Sequence, residues 1–448
     1  MKIGMSFTLL MLFISCAPKQ VEKFSAPKTQ NQAGLIASCT TVSEAQAVAQ
    51  DLNIQFRVIN KKRKIIEFIG ASEIALSEKL PRARFKQNKI YKNLLSGKFK
   101  ALNTPNYPFY GAHTPEYRNL EMADYFPHLK QIDDVTPPNL SQMNKVVVAV
   151  IDTGVYYNHP HLSSNIFLNN TDKHGAGSNT IDDDENGFKN DYVGWDFVNG
   201  DAYPIDDNGH GTHVAGIVAG TLGGVAPKAK ILPVKVLDAE GSGDLATIAS
   251  GILYAIDRGA HIINLSLGGE FGTEITNEVK QLLNSITSAE KEGVLIVAAA
   301  GNGGDDGLGD CNDSAPIYPA SFENEAVISV ASVNLYNELS QYSNFGTTSV
   351  DIAAPGGDYS TGGILSTVIP DCSGPCSVDD LAYGEEMGTS MATPVVAGIA
   401  ALIKAKDMSL TYKEIKEIIF ESGISQDNLK NYLVTGKVVN AKNALDRI

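Results

Sequence analysis

The sequence predicts an α/β protein with a mainly parallel sheet and helices on both faces, preceded by a small α+β unit. Two patterns carry this. From Lys145 onward, unbroken apolar runs at 146–151, 231–236, 262–267, 294–299 and 327–330 alternate with helix-like stretches at 211–220, 244–258, 274–292 and 394–406. Strands that are apolar at every position are covered on both sides, and strands separated by helices pair in parallel. Before residue 100 the segments are shorter and more mixed, with helix-like stretches at 43–52 and 71–80 and strand-like ones at 56–59 and 64–69.

Taken in order, the chain opens on Lys2 and an apolar run over 5–14, which makes residues 1–15 a signal peptide too short to span a bilayer comfortably. The run stops at Leu12-Phe13-Ile14-Ser15-Cys16, which resembles a bacterial lipobox with Cys16 as the lipid-bearing residue. Phe13 stands where leucine is usual, and an ordinary secretory leader is the alternative. Either one takes the protein out of the cytoplasm, and a lipidated Cys16 would make it a cell-envelope lipoprotein. Residues 16–34, rich in Pro, Lys, Gln and Ser, are a disordered tether. Residues 35–100 form the small unit, marginal on its own. Residues 101–120, containing Asn103-Thr104-Pro105-Asn106-Tyr107-Pro108, are a linker, and 121–448 are the large domain.

A chain of 448 residues with 43% apolar content can bury a large core, and its 41 glycines indicate many tight turns. The net charge of −15, without a basic stripe, excludes a nucleic-acid partner. No stretch after the leader approaches the ~18 apolar residues of a membrane span. Besides Cys16 there are Cys39, Cys311, Cys372 and Cys376, and export permits disulfides. Cys372 and Cys376 could staple a small loop, or either could reach Cys311.

Four polar residues stand where strands or glycine turns end. Asp152 follows the first large apolar run, His210 lies between Gly209 and Gly211, Asn302 follows Ala300-Gly301, and Ser390 follows Gly388-Thr389. In a parallel sheet, active groups gather beyond the strand C-terminal ends. Each has a bland alternative, as a turn cap, a metal-binding histidine beside His213, an Asn-Gly turn or a helix N-cap. Ser390 is expected at the start of a helix whose first turn holds Pro394. Together, however, the four supply a nucleophile, a base, an orienting acid and an oxyanion donor. A zinc hydrolase is disfavoured because HExxH is absent, and a lipase-type esterase because G-x-S-x-G is absent.

The motifs AVIDTGV, NGHGTHVAGIVAG, INLSLGG, AAAGN and GTSMATPVVAG, in that order over residues 140–445, resemble the subtilisin-like serine peptidases. The resemblance implies the subtilisin-like fold and an exported serine endopeptidase, needing no catalytic cofactor, that cleaves proteins through an acyl-enzyme. A catalytically silent peptide-binding relative is the alternative. By the resemblance Ser390 is the nucleophile, His210 the base and then acid, Asp152 its orienting partner, and Asn302 with the Ser390 N–H the oxyanion hole. Gly241, Ser242 and Gly243, with Ser266, Leu267, Gly268 and Gly269, would pair with extended substrate. Leu245 and Leu267 would line an apolar subsite, and Ala298, Ala299 and Gly301 the wall of the primary pocket, favouring broad specificity. The acidic loop bearing Asp305, Asp306, Asp310 and Asp313 could instead favour basic residues, although a solvated or cation-binding loop fits it better.

The resemblance makes residues 35–100 a propeptide that chaperones and inhibits the domain behind it, with autocatalytic cleavage in 101–120, a permanent accessory domain being the alternative. Cleavage there would free the mature domain from a membrane anchor at Cys16. Asp182, Asp184, Asn186 and Asp191 repeat the opening of a calcium loop, with Gly187 at its turn and Val193 in place of the closing glutamate. A structural Ca²⁺ is expected there, an acidic surface loop being the alternative. His161 stands where relatives usually carry Asp, and 212–225 lacks an asparagine-bearing loop, so the strong calcium site of subtilisin is expected to be missing. Val395 replaces a histidine common in the family.

Overall fold

The computed structural model describes residues 126–448 except 134–140, 172–181, 183, 272–276, 304–306 and 371–382, and five strands before residue 126. It divides into two units, Met1–Lys89 and Ile90–Ile448. In the first, β1 (Gly34–Ser38), β2 (Gln55–Asn60), β3 (Ile65–Ile69) and β4 (Arg84–Gln87) form an antiparallel sheet in the order β2-β3-β1-β4. The strands expected at 56–59 and 64–69 are present, while β1 and β4 carried no clear periodicity. The helices expected at 43–52 and 71–80, the leader, the tether, Cys39 and the linker lie outside the described residues.

The second unit begins with β5 (Ile90–Asn93) and continues through α1 (Pro127–Gln131), β6 (Val147–Asp152), β7 (Trp195–Asp196) and α2 (His210–Ala219). Then come β8 (Lys230–Lys235), β9 (Ser242–Asp244), α3 (Leu245–Asp257), β10 (Ile262–Leu265), β11 (Leu267–Glu270), α4 (Asn277–Lys291) and β12 (Leu295–Ala299). They are followed by β13 (Ile317–Tyr318), β14 (Val327–Val333), β15 (Ile352–Pro355), β16 (Ile364–Thr367), β17 (Tyr383–Glu386) and α5 (Thr389–Lys406). The chain closes with α6 (Tyr412–Ser422), β18 (Ile424–Ser425), β19 (Lys437–Val438) and α7 (Ala441–Asp446).

Nine strands form the central sheet in the order β18-β19-β15-β14-β12-β10-β6-β8-β7, parallel except for the β18–β19 edge. Side chains alternate across a strand, so one strand serves two cores. Val148 and Val150 of β6 enter the core shared with α2 and α5, whereas Val147, Ala149 and Ile151 face the core of α3 and α4. This explains why the strands read as unbroken apolar runs. The α/β architecture with a mainly parallel sheet is therefore the one expected.

Two boundaries differ from expectation. The run 262–267 is two strands, because the chain leaves the central ladder after Leu265 and β11 joins a different sheet. That second sheet has the order β13-β11-β5-β9, all antiparallel, with β5 between β9 and β11. The helix expected from Pro394 starts five residues earlier, at Thr389, so Pro394 lies in the interior of α5.

α5 is buried along nearly its whole length because it crosses beneath the sheet, with α2, α6 and α7 beside it. Its first turn is thus a core element, and α6, which packs beside it, opens on a capping box between Thr411 and Glu414. Leu402, fully buried in that core, is a direct test of it. Leu402→Ala in the inactive Ser390→Ala background is expected to lose about 2–5 kcal/mol in denaturant unfolding.

Candidate active site

Every parallel strand of the sheet ends on the same edge, and the expected residues assemble there. Asp152 is the last residue of β6, Ser266 follows β10, and Asn302 follows β12 after Ala300 and Gly301. His210 opens α2 and Ser390 is the second residue of α5. α2 comes this close because Gly211 has no side chain: a Cβ there would lie 2.0 Å from the Gly154 carbonyl oxygen and 3.2 Å from Asp152 Cβ.

Asp152 is fully buried and accepts from its neighbour Thr153 N at 2.7 Å and from His210 Nδ1 at 2.8 Å, both on Oδ1. A carboxylate can only accept, so Nδ1 carries the proton and Nε2 presents its lone pair. Nε2 is itself buried without a hydrogen-bond partner. Burial acts to lower the His210 pKa, but the charge and hydrogen bond of Asp152, helped by Glu386 and Asp206, reverse this and raise it. A neutral imidazole so disposed accepts a proton readily and is stabilised when charged.

Ser390 Oγ donates to the Ser266 carbonyl at 3.1 Å, so the hydroxyl must leave that acceptor to reach Nε2. Such bonds commonly close only with substrate in place. Asn302 Oδ1 accepts from Thr389 N and from Thr389 Oγ1, each at 2.9 Å. These bonds fix the orientation of the amide beside the first turn of α5, the arrangement in which an amide NH₂ and a helix N–H can serve together as oxyanion donors.

Sequence reasoning missed two supports. Pro394 has no N–H for the Ser390 carbonyl four residues earlier. Ser266 Oγ donates to that carbonyl at 2.8 Å, and Asn264 Nδ2 donates to Ser266 Oγ at 3.0 Å. The second support is Thr389, the residue that orients Asn302; its place beside Ser390 was the available signal. His213 proves structural, because its Nε2 faces the carbonyls of Ile364 and Gly384 at 2.9 and 3.1 Å.

The segments expected to flank substrate come together. Gly241, Ser242 and Gly243 lie at and in β9, and Leu267, Gly268 and Gly269 are in β11, one strand apart across β5. Leu245 and Leu267 are buried with the core of α3 and α4, as is Ala298, while Ala299 and Gly301 are also buried. In the acidic loop, Asp305 and Asp306 lie outside the described residues, as do Cys372 and Cys376. Asp313 accepts from Thr347, Thr348 and Ser349, and although desolvation opposes it, these bonds hold its pKa down to about 2. Cys311 carries no disulfide among the described residues.

The candidate calcium loop is drawn together by Asn186, whose N–H faces Asp182 and Asp184 and whose Nδ2 donates to Asp191 at 3.0 Å. Arg258 lies 2.7 Å from Asp184 and 3.6 Å from Asp191, and the Tyr254 hydroxyl donates to Asp191 at 2.7 Å. Part of the charge is thus already balanced. Among the described residues, no three His, Cys, Asp or Glu side chains are grouped to hold a metal ion.

The geometry sets two expectations for hydrolysis of a peptide substrate. Ser390→Ala removes the nucleophile and should abolish turnover. Asn302→Ala should lower kcat by about 10²–10³ with KM little changed, as for loss of one oxyanion donor. Steady-state kinetics of the purified variants check both.

The model of the family described as "Subtilase family" matches residues 143–441. The thermophilic serine proteinase of Bacillus sp. strain AK1 is 32% identical over 99% of this chain and 98% of its own length. Thermitase of Thermoactinomyces vulgaris is 38% identical over 58% of this chain and 76% of its own. The crystal structure of a cold adapted subtilisin-like serine proteinase superposes with a TM-score of 0.50 at 28% identity, covering 67% of this chain and 90% of that one. With Asp152, His210, Asn302 and Ser390 gathered at one edge of the matching fold, this chain belongs to the subtilase family of serine endopeptidases.

Proposed function

We propose that the protein is an exported endopeptidase of broad specificity that matures by cutting its own N-terminal region. The observation that carries this is β5. Its residues Ile90, Tyr91 and Lys92 pair antiparallel with Asp244, Gly243 and Ser242, and Lys92 and Asn93 pair with Gly268 and Leu267. A segment of the chain therefore fills, as an added strand, the place where an extended substrate would lie. Recognition by backbone ladders reads the main chain of a substrate more than its side chains, which supports broad specificity.

The register also bears on where the cut falls. β5 ends at Asn93, opposite Leu267 and so one residue from Ser266, whose carbonyl accepts from the Ser390 hydroxyl. Cleavage next to Leu94 follows, ahead of the 101–120 linker expected from composition. Residues before the cut would then form the propeptide partner, and the mature domain would separate from an anchor at Cys16. Export itself rests on the apolar run over 5–14.

Expression of the full chain in a bacterial host, with N-terminal sequencing of the secreted protein, tests this reading. A new terminus near residue 95 is expected, and Ser390→Ala should accumulate uncut. Active enzyme that retains residue 90 would overturn self-maturation. Labelling of Ser390 by a phosphonate probe is expected, whereas a catalytically silent binding protein would not label.

Calcium at the acidic loop is proposed as a structural ion. The oxygens of Asp182, Asp184, Asn186 and Asp191 are of the hard kind such an ion takes, but the three carboxylates are not grouped around one point, so binding would have to draw them together. Arg258 already sits on two of those carboxylates, so the ion has to compete with the guanidinium. Chelation should lower Tm, with recovery on adding Ca²⁺; an unchanged melting curve removes the ion from the account.

A further inference from the structure

We propose that Lys235 is a positioning residue for catalysis: one buried ammonium ties the strand end that carries Asp152 to the loop that carries His210. Lys235 is the last residue of β8, in register with Asp152 at the end of β6, and its side chain is buried. Its Nζ donates to Thr153 O at 2.7 Å, Leu237 O at 2.8 Å and Asp207 Oδ1 at 2.6 Å. An ammonium has three donors, and all three are used. Thr153 adjoins Asp152, Leu237 N donates to the Asp152 carbonyl, and Asp207 stands three residues before His210.

The same turn is held from its other side. Thr153 Oγ1 donates to Asp206 at 2.8 Å and accepts from Gly211 N at 2.9 Å. Asp206, also buried, accepts from Gly209 N and from both Thr212 N and Oγ1, which fixes the start of α2. Thr153 is thus clamped at its carbonyl by Lys235 and at its hydroxyl by Asp206 and Gly211, and Asp152 and His210 are set by that clamp. An apolar side chain of equal length would fill the space without burying a charge, so packing alone does not explain a lysine here. The charge has a second consequence. The groups acting on His210 are Asp152 of β6, Asp206 before α2, Glu386 of β17 and His213 on α2 itself. Against these largely acidic neighbours, the Lys235 ammonium is a cation that disfavours a second positive charge on the imidazole.

The inference rests on the serine-peptidase activity, so wild type is assayed alongside, with each protein expressed as the full chain and its active sites counted by phosphonate labelling after maturation. Lys235→Met keeps the unbranched stem and removes the charge and all three bonds. Its kcat should fall about 10–100-fold, the cost of a small misplacement of catalytic groups. KM should stay within about twofold, since transition-state alignment and not ground-state binding is lost. The acid limb of kcat/KM should move to higher pH, because the cation opposing the imidazolium has gone while the Asp207 carboxylate stays. Asp207→Asn should move that limb to lower pH, and the double variant should return the limb toward wild type without recovering kcat.

A wild type that neither labels nor cleaves peptide would defeat the peptidase assignment itself. An active wild type with Lys235→Met unchanged in kcat and acid limb overturns the positioning role, as does a fall in kcat with the limb unmoved in every variant. Should Lys235→Met fail to fold, Asp207→Asn decides alone, because its side chain is half exposed. Unchanged kcat and limb in that variant also overturn the proposal.

Discussion

Asp152 places a carboxylate at the end of a central strand with no contact to water, and the surrounding structure answers to that charge. A buried ion is tolerated only when hydrogen bonds and opposite charge replace its hydration. The replacement here is asymmetric: a backbone N–H and the His210 ring both bind Oδ1. The need to satisfy the acid therefore fixes the tautomer of the base. It also brings the first turn of α2 onto the end of β6, which is possible because position 211 has no side chain.

The nucleophile is held by a related device, in which side chains take over backbone bonds that the helix lacks. The N-terminal N–H of α5 is used by Asn302, and the carbonyl released by Pro394 is used by Ser266. Both substitutes come from the ends of other strands. The helix start, the oxyanion amide and the turn after β10 are consequently one hydrogen-bonded unit. α5 also runs through the core, so the Ser390 backbone inherits the rigidity of the packing beneath it.

Much of the fold was legible because the strands are buried on both sides and show it in every residue. The strands at 146–151, 231–236 and 294–299 and the helices over 211–220 and 244–258 lie within a residue or two of the observed elements. The failures have local causes. Proline favours the first turn of a helix, which is where sequence alone puts Pro394; the bond from Ser266 to the Ser390 carbonyl lets it sit deeper. The run 262–267 looks continuous, but its last residue, Leu267, pairs with β5 in a second sheet, and hydropathy cannot distinguish one sheet from another. β7 and β19, of two residues each, are too short to leave a periodic signal.

The chemical identity of the site was in the sequence by itself. Asp152, His210, Asn302 and Ser390 each stand in a short motif with its own turn chemistry, and local chemistry is written locally. The tertiary structure decided what holds them. Lys235 reaches Thr153 across 82 positions, Ser266 reaches Ser390 across 124, and Thr389 reaches Asn302 across 87. Those contacts depend on strand order and register, which arise from the packing of the whole sheet. No short window of sequence contains them.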